Sequence, residues 1–151
     1  MSAGLEKWSR SSPAKHAYYV GSCEEMILFG EVLGRTLRRP QVVAFFGDLG
    51  SGKTTLAKGI VGALCGITSL GVASPTFQYL QFYSGNNVSV AHFDLWRLRN
   101  LDEFLSLGLE EYLSSEVVLI EWPDRIQSLL PPSTLFVETK VCGLGREVVI
   151  R

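Results

Sequence analysis

The chain has 151 residues, enough for one domain with a buried core and few for two. A formal net charge of −1 gives no overall attraction to nucleic acid or membrane surfaces, and no apolar run approaches spanning length. The cysteines, Cys23, Cys65 and Cys142, are 3 in number and widely spaced, which speaks against a disulfide scaffold or a zinc site and fits a reducing, cytoplasmic setting.

Residues 1–15 are rich in Ser, Lys and Arg, lack a hydrophobic period and read as a loose arm, which leaves residues 16–151 as a single domain. His16 to Val20 reads as a first short strand. Ser22 followed by Glu25 is a capping-box signature, because each can satisfy a backbone N–H that the first helical turn leaves unpaired. The helix that follows carries Met26, Phe29, Gly30, Leu33 and Leu37 on one face, and Pro40 closes the segment.

Val42 to Phe46 is a continuous β-branched and aromatic run of the kind buried on both faces of a parallel sheet. It leads into Gly47-Asp48-Leu49-Gly50-Ser51-Gly52-Lys53-Thr54, which fits the phosphate-binding loop pattern without a mismatch. Glycines let such a loop bring its N–H groups close to a polyphosphate, where a side chain would block approach. Lys53 supplies a positive charge for the β/γ-phosphates, Thr54 a hydroxyl for Mg²⁺, and the next helix points the positive end of its dipole at the same anion. Leu56, Ile60, Ala63 and Leu64 give that helix its period, and Gly66 its stop.

Ser74-Pro75-Thr76-Phe77 opens an extended run through Tyr83, Ser84 to Asn87 carry hairpin-turn chemistry, and Val88 to Phe93 form the returning strand, ending at Asp94. A short helix is expected over Leu101 to Gly108, with a further turn or two from Leu109 to Leu113. Val117 to Ile120 form another buried run, ending at Glu121-Trp122-Pro123. Ile126 to Leu130 suggest a helical turn, and Leu135 to Val141 and Glu147 to Ile150 are strands about the turn Gly143-Leu144-Gly145. Helices alternating with apolar strands argue for an α/β fold, a mainly parallel sheet with helices on both faces and a β-hairpin at an edge. Ligands in such sheets lie beyond the carboxyl ends of the strands, where Asp94 and Glu121 fall.

Hydrolysis needs a metal contact besides the loop and a group that places water. Glu121 suits the metal, directly or through water, and Asp94 suits either the metal shell or the water. Ser74 and Thr76 sit where a hydroxyl can bind metal or γ-phosphate and order its loop. His92 shares Asp94's strand face and reads as a neutral core histidine; Trp122 suits either a stack on a base or the core, and Arg97 and Arg125 read as surface or structural pairs.

In order and spacing, the phosphate loop through Thr55, Ser74-Pro75-Thr76-Phe77, His92-Phe93-Asp94-Leu95-Trp96-Arg97-Leu98 and Ile120-Glu121-Trp122-Pro123 resemble the bacterial TsaE family, formerly called YjeE. The resemblance runs from about Tyr19 to Arg125 and implies a P-loop NTPase fold. It further implies a small Mg²⁺-dependent ATPase, slow alone, that works with TsaD and TsaB. Together these make threonylcarbamoyladenosine in tRNAs reading codons that begin with A. ATP turnover would reset the TsaD–TsaB assembly, and tRNA would be met only through that complex. Carried across, Lys53 and Thr54 match the phosphate and metal ligands, Thr76 the switch threonine, Asp94 the catalytic acid, Glu121 the metal-associated acid and Trp122 the tryptophan beside the nucleotide. Ser51, Trp96 and Asp124 depart from the commoner Ala, Tyr and Glu.

Phosphate loops also serve small-molecule kinases, which need an acceptor pocket and usually an arginine-bearing lid; no lid insertion is visible. The guanine-reading pattern Asn/Thr-Lys-x-Asp occurs only as Thr139-Lys140-Val141-Cys142, without its acid. A nucleotide-dependent binding module without turnover is the other alternative.

Overall fold

A computed structural model describes residues 4–10, 16–68 and 71–151. Seven strands form one mixed sheet: β1 (Ala17–Val20), β2 (Gln41–Phe46), β3 (Leu80–Gly85), β4 (Val88–Asp94), β5 (Val117–Glu121), β6 (Leu135–Cys142) and β7 (Gly145–Ile150). Their spatial order is β1-β7-β6-β2-β5-β4-β3. The centre, β6-β2-β5-β4, is parallel, as the apolar runs predict, because strands covered on both faces have no polar side to show water. Antiparallel strands flank it on both sides rather than one: β3 pairs with β4, and β7 lies between β6 and β1.

On one face lie α1 (Cys23–Thr36) and α2 (Lys53–Cys65), over Val43, Phe45, Val90, Val117, Leu119 and Val137. The other face is covered by α3 (Leu101–Ser106) and two 3₁₀ segments, Leu109–Ser114 and Pro123–Leu129, over Ala91, Phe93, Val118 and Ile120. Residues alternate between the two clusters along β4 and β5, as the strand period of two requires.

The predicted cap of α1 is present: Ser22 Oγ accepts from the Glu25 N–H at 3.1 Å, and the Glu25 carboxylate accepts from the Gly21 N–H at 3.0 Å. α2 stops at Gly66, which takes the left-handed conformation with φ 69°. The β3–β4 hairpin turns on Asn86 and Asn87, with φ of 49° and 60°, the backbone of a two-residue turn matched to strand twist.

α1 and α2 meet through glycines. A Cβ on Gly59 would lie 2.2 Å from the Ile27 carbonyl oxygen and 2.9 Å from Gly30 Cα, so the helix backbones touch with no room for a methyl group. Gly59→Ala must push α2 off α1 and is expected to destabilise the chain by about 1–3 kcal/mol in chemical denaturation. An unchanged denaturation midpoint would show that the helices separate freely.

Two expectations are corrected. The extended run from Ser74 begins as a strand only at Leu80, because the Gln78 N–H closes a turn on the Pro75 carbonyl and Tyr79 takes φ 64°. Nor does the loose arm hold for residues 4–10. Leu5 and Trp8 are buried, Glu6–Trp8 forms a 3₁₀ turn, the Trp8 ring meets Phe29 edge-on at 5.3 Å, and Ser9 bridges to Tyr18. Burying one indole and one leucine outweighs a polar neighbourhood. The rest of the expected arm lies outside the described residues. Among the described residues, no helix is long and apolar enough to cross a membrane.

Candidate nucleotide site

Parallel order brings the three strand ends of the candidate site together. β2 delivers its chain into the glycine loop, and on one side of it β5 and β4 end in register, with Glu121 opposite Asp94. Gly47, Gly50 and Gly52 all take positive φ, at 148°, 78° and 107°, so the loop wraps in a form that side chains resist. At Gly47 a Cβ would fall 2.5 Å from both Ser51 Oγ and the Thr139 carbonyl oxygen. The loop is also held from outside: Ser51 Oγ and Thr139 Oγ1 form a buried hydroxyl pair at 2.7 Å, and Arg146 Nη2 donates to the Gly50 carbonyl at 3.0 Å.

Lys53 opens α2 with its side chain buried, and its ammonium donates to the carbonyls of Gly47 and, at 2.9 Å, Asp48. Burial pushes it below the usual lysine value, while the charges of Glu121, Asp94 and Asp48 act against that shift. The Trp122 ring lies under it, with Nζ 4.4 Å from the ring centroid. Trp122 itself takes the left-handed conformation, φ 57°, at the end of β5. Thr54 Oγ1 donates to Glu121 Oε1 at 2.7 Å. Asp94 Oδ2 accepts from Ser74 Oγ at 2.6 Å and Thr76 Oγ1 at 2.8 Å, and its Oδ1 accepts from the Trp96 N–H at 3.1 Å.

Every sequence-predicted site residue therefore lies in one neighbourhood. Gly47, Asp48, Leu49, Gly50, Ser51, Gly52, Lys53, Thr54 and Thr55 build the loop and the first turn of α2, Glu121 and Trp122 end β5, and Thr76 is tied to Asp94. A cavity of about 340 Å³ is lined by these residues except Gly47, Asp48 and Ser51. Arg97 and Arg125 are placed elsewhere: Arg97 stacks 4.4 Å from the Phe77 ring centroid, and Arg125 Nε donates to the Leu98 carbonyl.

Sequence reasoning missed the partner of Glu121. His92 is fully buried and its Nε2 lies 2.6 Å from Glu121 Oε2; an ionised carboxylate only accepts, so the imidazole donates. The signal was half present, since a residue two before Asp94 shares its face, but the pairing needs the β4–β5 register. Ser51, Thr139 and Arg146 were likewise unreadable as loop supports.

The Asp94 contacts tether the segment from Ser74 to Thr76. Asp94→Ala removes the shared acceptor of both hydroxyls and is expected to speed backbone hydrogen exchange of that segment about tenfold, while exchange in β2 and β5 stays unchanged. Unaltered exchange there would mean that the segment is held by other contacts.

A family model described as threonylcarbamoyl adenosine biosynthesis protein TsaE matches residues 20–147. The chain is 37% identical over 118 residues to the tRNA threonylcarbamoyladenosine biosynthesis protein TsaE of Rickettsia felis, covering 78% of this chain and 68% of that protein. It is 35% identical over 131 residues to the protein of the same name from Treponema pallidum, covering 85% and 95%. Among solved structures, Bacillus subtilis YdiB is similar with a TM-score of 0.69 at 26% identity, over 91% of this chain and 86% of that one. Because the sequence match takes in the loop, both strand-end acids and most of the domain around them, the chain belongs to the TsaE family of threonylcarbamoyl adenosine biosynthesis proteins.

Proposed function

We propose that the chain is a Mg²⁺-dependent ATPase serving threonylcarbamoyladenosine formation on tRNA, with TsaD and TsaB homologues as partners and tRNA met through their complex. The observation that carries this reading is the Thr54–Glu121 hydrogen bond at the mouth of a complete phosphate loop, with Asp94 in register beside it.

That donor set fits Mg²⁺. A hydroxyl and one or two carboxylates are hard oxygen ligands, and Mg²⁺ is ordinarily held by so few protein groups because phosphates and waters complete its shell. Among the described residues no cluster of three or more His, Cys, Asp or Glu forms an all-protein cage, which suits an ion that arrives with a nucleotide. Thr54 and Glu121 would hold the ion, which would supply positive charge against the negative charge that builds up on the phosphates as the outer bond breaks.

The chain's own groups supply the rest. Loop N–H groups and Lys53 bind the β/γ-phosphates, with Lys53 leaving the Gly47 and Asp48 carbonyls for the anion. His92 holds the Glu121 carboxylate from behind. Asp94 orients the attacking water, and Thr76, now on Asp94, turns to the γ-phosphate and draws its loop with it. The loop position thus reports whether the outer phosphate is present, which is what a device resetting a partner complex requires. Exposed apolar side chains beside this machinery, Leu49 at 67% and Phe77 at 80%, support contact with a protein partner there.

A single-turnover assay of phosphate release with ATP and Mg²⁺, with and without TsaD and TsaB homologues, tests the reading. Slow release by the chain alone and faster release with the partners is expected. Tight binding with no release in either condition would make the chain an occupancy module, and phosphate appearing on a metabolite would make it a kinase.

A further inference from the structure

We infer that Tyr79 is the pivot of the segment that carries Thr76, and that its hydroxyl contact with Glu103 holds this segment in the arrangement with Thr76 on Asp94. This rests on the reading that Thr76 passes from Asp94 to the γ-phosphate, and adds the residues that set how readily it does so.

Tyr79 stands in a backbone region that an L side chain disfavours. Its φ is 64°, a value suited to glycine or asparagine, and no other residue from Ser74 to Gly85 has a positive φ. The consequence is visible in the sheet. Asp94 lies opposite Tyr79, one step beyond the Leu80–Phe93 pair, and an antiparallel pair at that step exchanges two hydrogen bonds. Only one is made: the Asp94 N–H donates to the Tyr79 carbonyl at 3.0 Å, and no bond returns from the Tyr79 N–H. A negative φ at Tyr79 would complete the pair, lengthen β3 and carry Gln78, Phe77 and Thr76 to a new place. That extended course is the one the residue types from Thr76 to Tyr83 favour, so the segment has a second arrangement close at hand.

Side-chain contacts hold the disfavoured form. The Tyr79 hydroxyl donates to Glu103 Oε1 at 2.9 Å, and its ring packs on the apolar cluster that contains Phe104. Glu103 is itself fixed at the start of α3. Its N–H is capped by Asn100 Oδ1 at 2.9 Å, and its Oε2 accepts from the Arg99 N–H at 3.1 Å and from Arg99 Nε at 3.0 Å. A carboxylate anchored in this way is a strong acceptor for the phenol. The segment is therefore tied at both ends, by Ser74 and Thr76 to Asp94 and by Tyr79 to Glu103. Neither Tyr79 nor Glu103 lines the cavity at the phosphate loop, so both act through Thr76 and Asp94, as positioning residues.

The test compares the affinities of ADP and of AMP-PNP, a nonhydrolysable ATP analogue, by calorimetry with Mg²⁺. The chains are the wild type, Tyr79→Phe, Glu103→Ala, the double variant and Thr76→Ala. Tyr79→Phe keeps the ring and removes only the hydroxyl, which releases the tie without emptying the core. It is expected to tighten AMP-PNP about three- to tenfold while ADP stays unchanged, because only the ligand with an outer phosphate gains from freeing Thr76. Glu103→Ala should give the same shift, and the double variant no more than either, as two ends of one contact require. Where Thr76→Ala lowers the preference for AMP-PNP over ADP, any of three results would overturn the pivot: an unchanged preference in Tyr79→Phe, an equal shift for both nucleotides, or additive effects in the double variant. A preference that Thr76→Ala leaves at the wild-type value removes the γ-phosphate reading, and this inference with it.

Discussion

Lys53→Ala is expected to weaken ATP binding about 100-fold or more in calorimetry, with the fold retained by circular dichroism. The ammonium is hydrogen-bonded to the loop carbonyls of Gly47 and Asp48, and it sits near Asp48, Asp94 and Glu121. A hydrogen bond to a charged group is worth about 1.5–3 kcal/mol, and losing this one leaves the acids facing a polyphosphate with less compensation, which adds repulsion. Little stability should be lost, because burial already opposes the charged form of the side chain in the folded chain. A Kd within threefold of the wild type would show that the backbone amides alone hold the phosphates.

Glu121→Gln separates binding from chemistry. Gln keeps the volume and an oxygen acceptor for Thr54 but removes the charge, and Glu121 is buried between Thr54 and His92, where a charge is felt strongly. Turnover is expected to fall about 100- to 1000-fold while ATP affinity changes less than about fivefold, the pattern of a group that acts on charge developing in the transition state. Measured Mg²⁺ dependence should shift to higher concentration in the same variant. Turnover at the wild-type rate would move the metal role to Asp94.

How much of this was legible in the sequence follows from the range of each contact. The phosphate loop is local: its glycines, Lys53 and Thr54 are adjacent, and their geometry is fixed by the turn they themselves make. The placement of Asp94 and Glu121 at neighbouring strand ends was legible because a buried parallel strand ends where its apolar run ends. Contacts between strands were not. His92 with Glu121, Ser51 with Thr139 and Arg146 with Gly50 each depend on which strand neighbours which and in what register, and composition carries none of that. The arm was misread where Leu5 and Trp8 pack because a short 3₁₀ turn has no period to detect. The strand from Ser74 was overextended because Tyr79, a residue of high strand propensity, takes a left-handed backbone, with its hydroxyl on Glu103, that its side-chain type does not signal.

The placement of β7 between β6 and β1 bears on how the chain reaches this state. Among the described residues the ladder of β1 is made with β7, most of the chain away, so that this side of the sheet cannot nucleate early and must wait for the slowest kind of encounter. Until then Tyr18, Val20 and the residues that pack beside them leave an apolar, unpaired ribbon next to the loop, a species prone to stick to its own kind during synthesis.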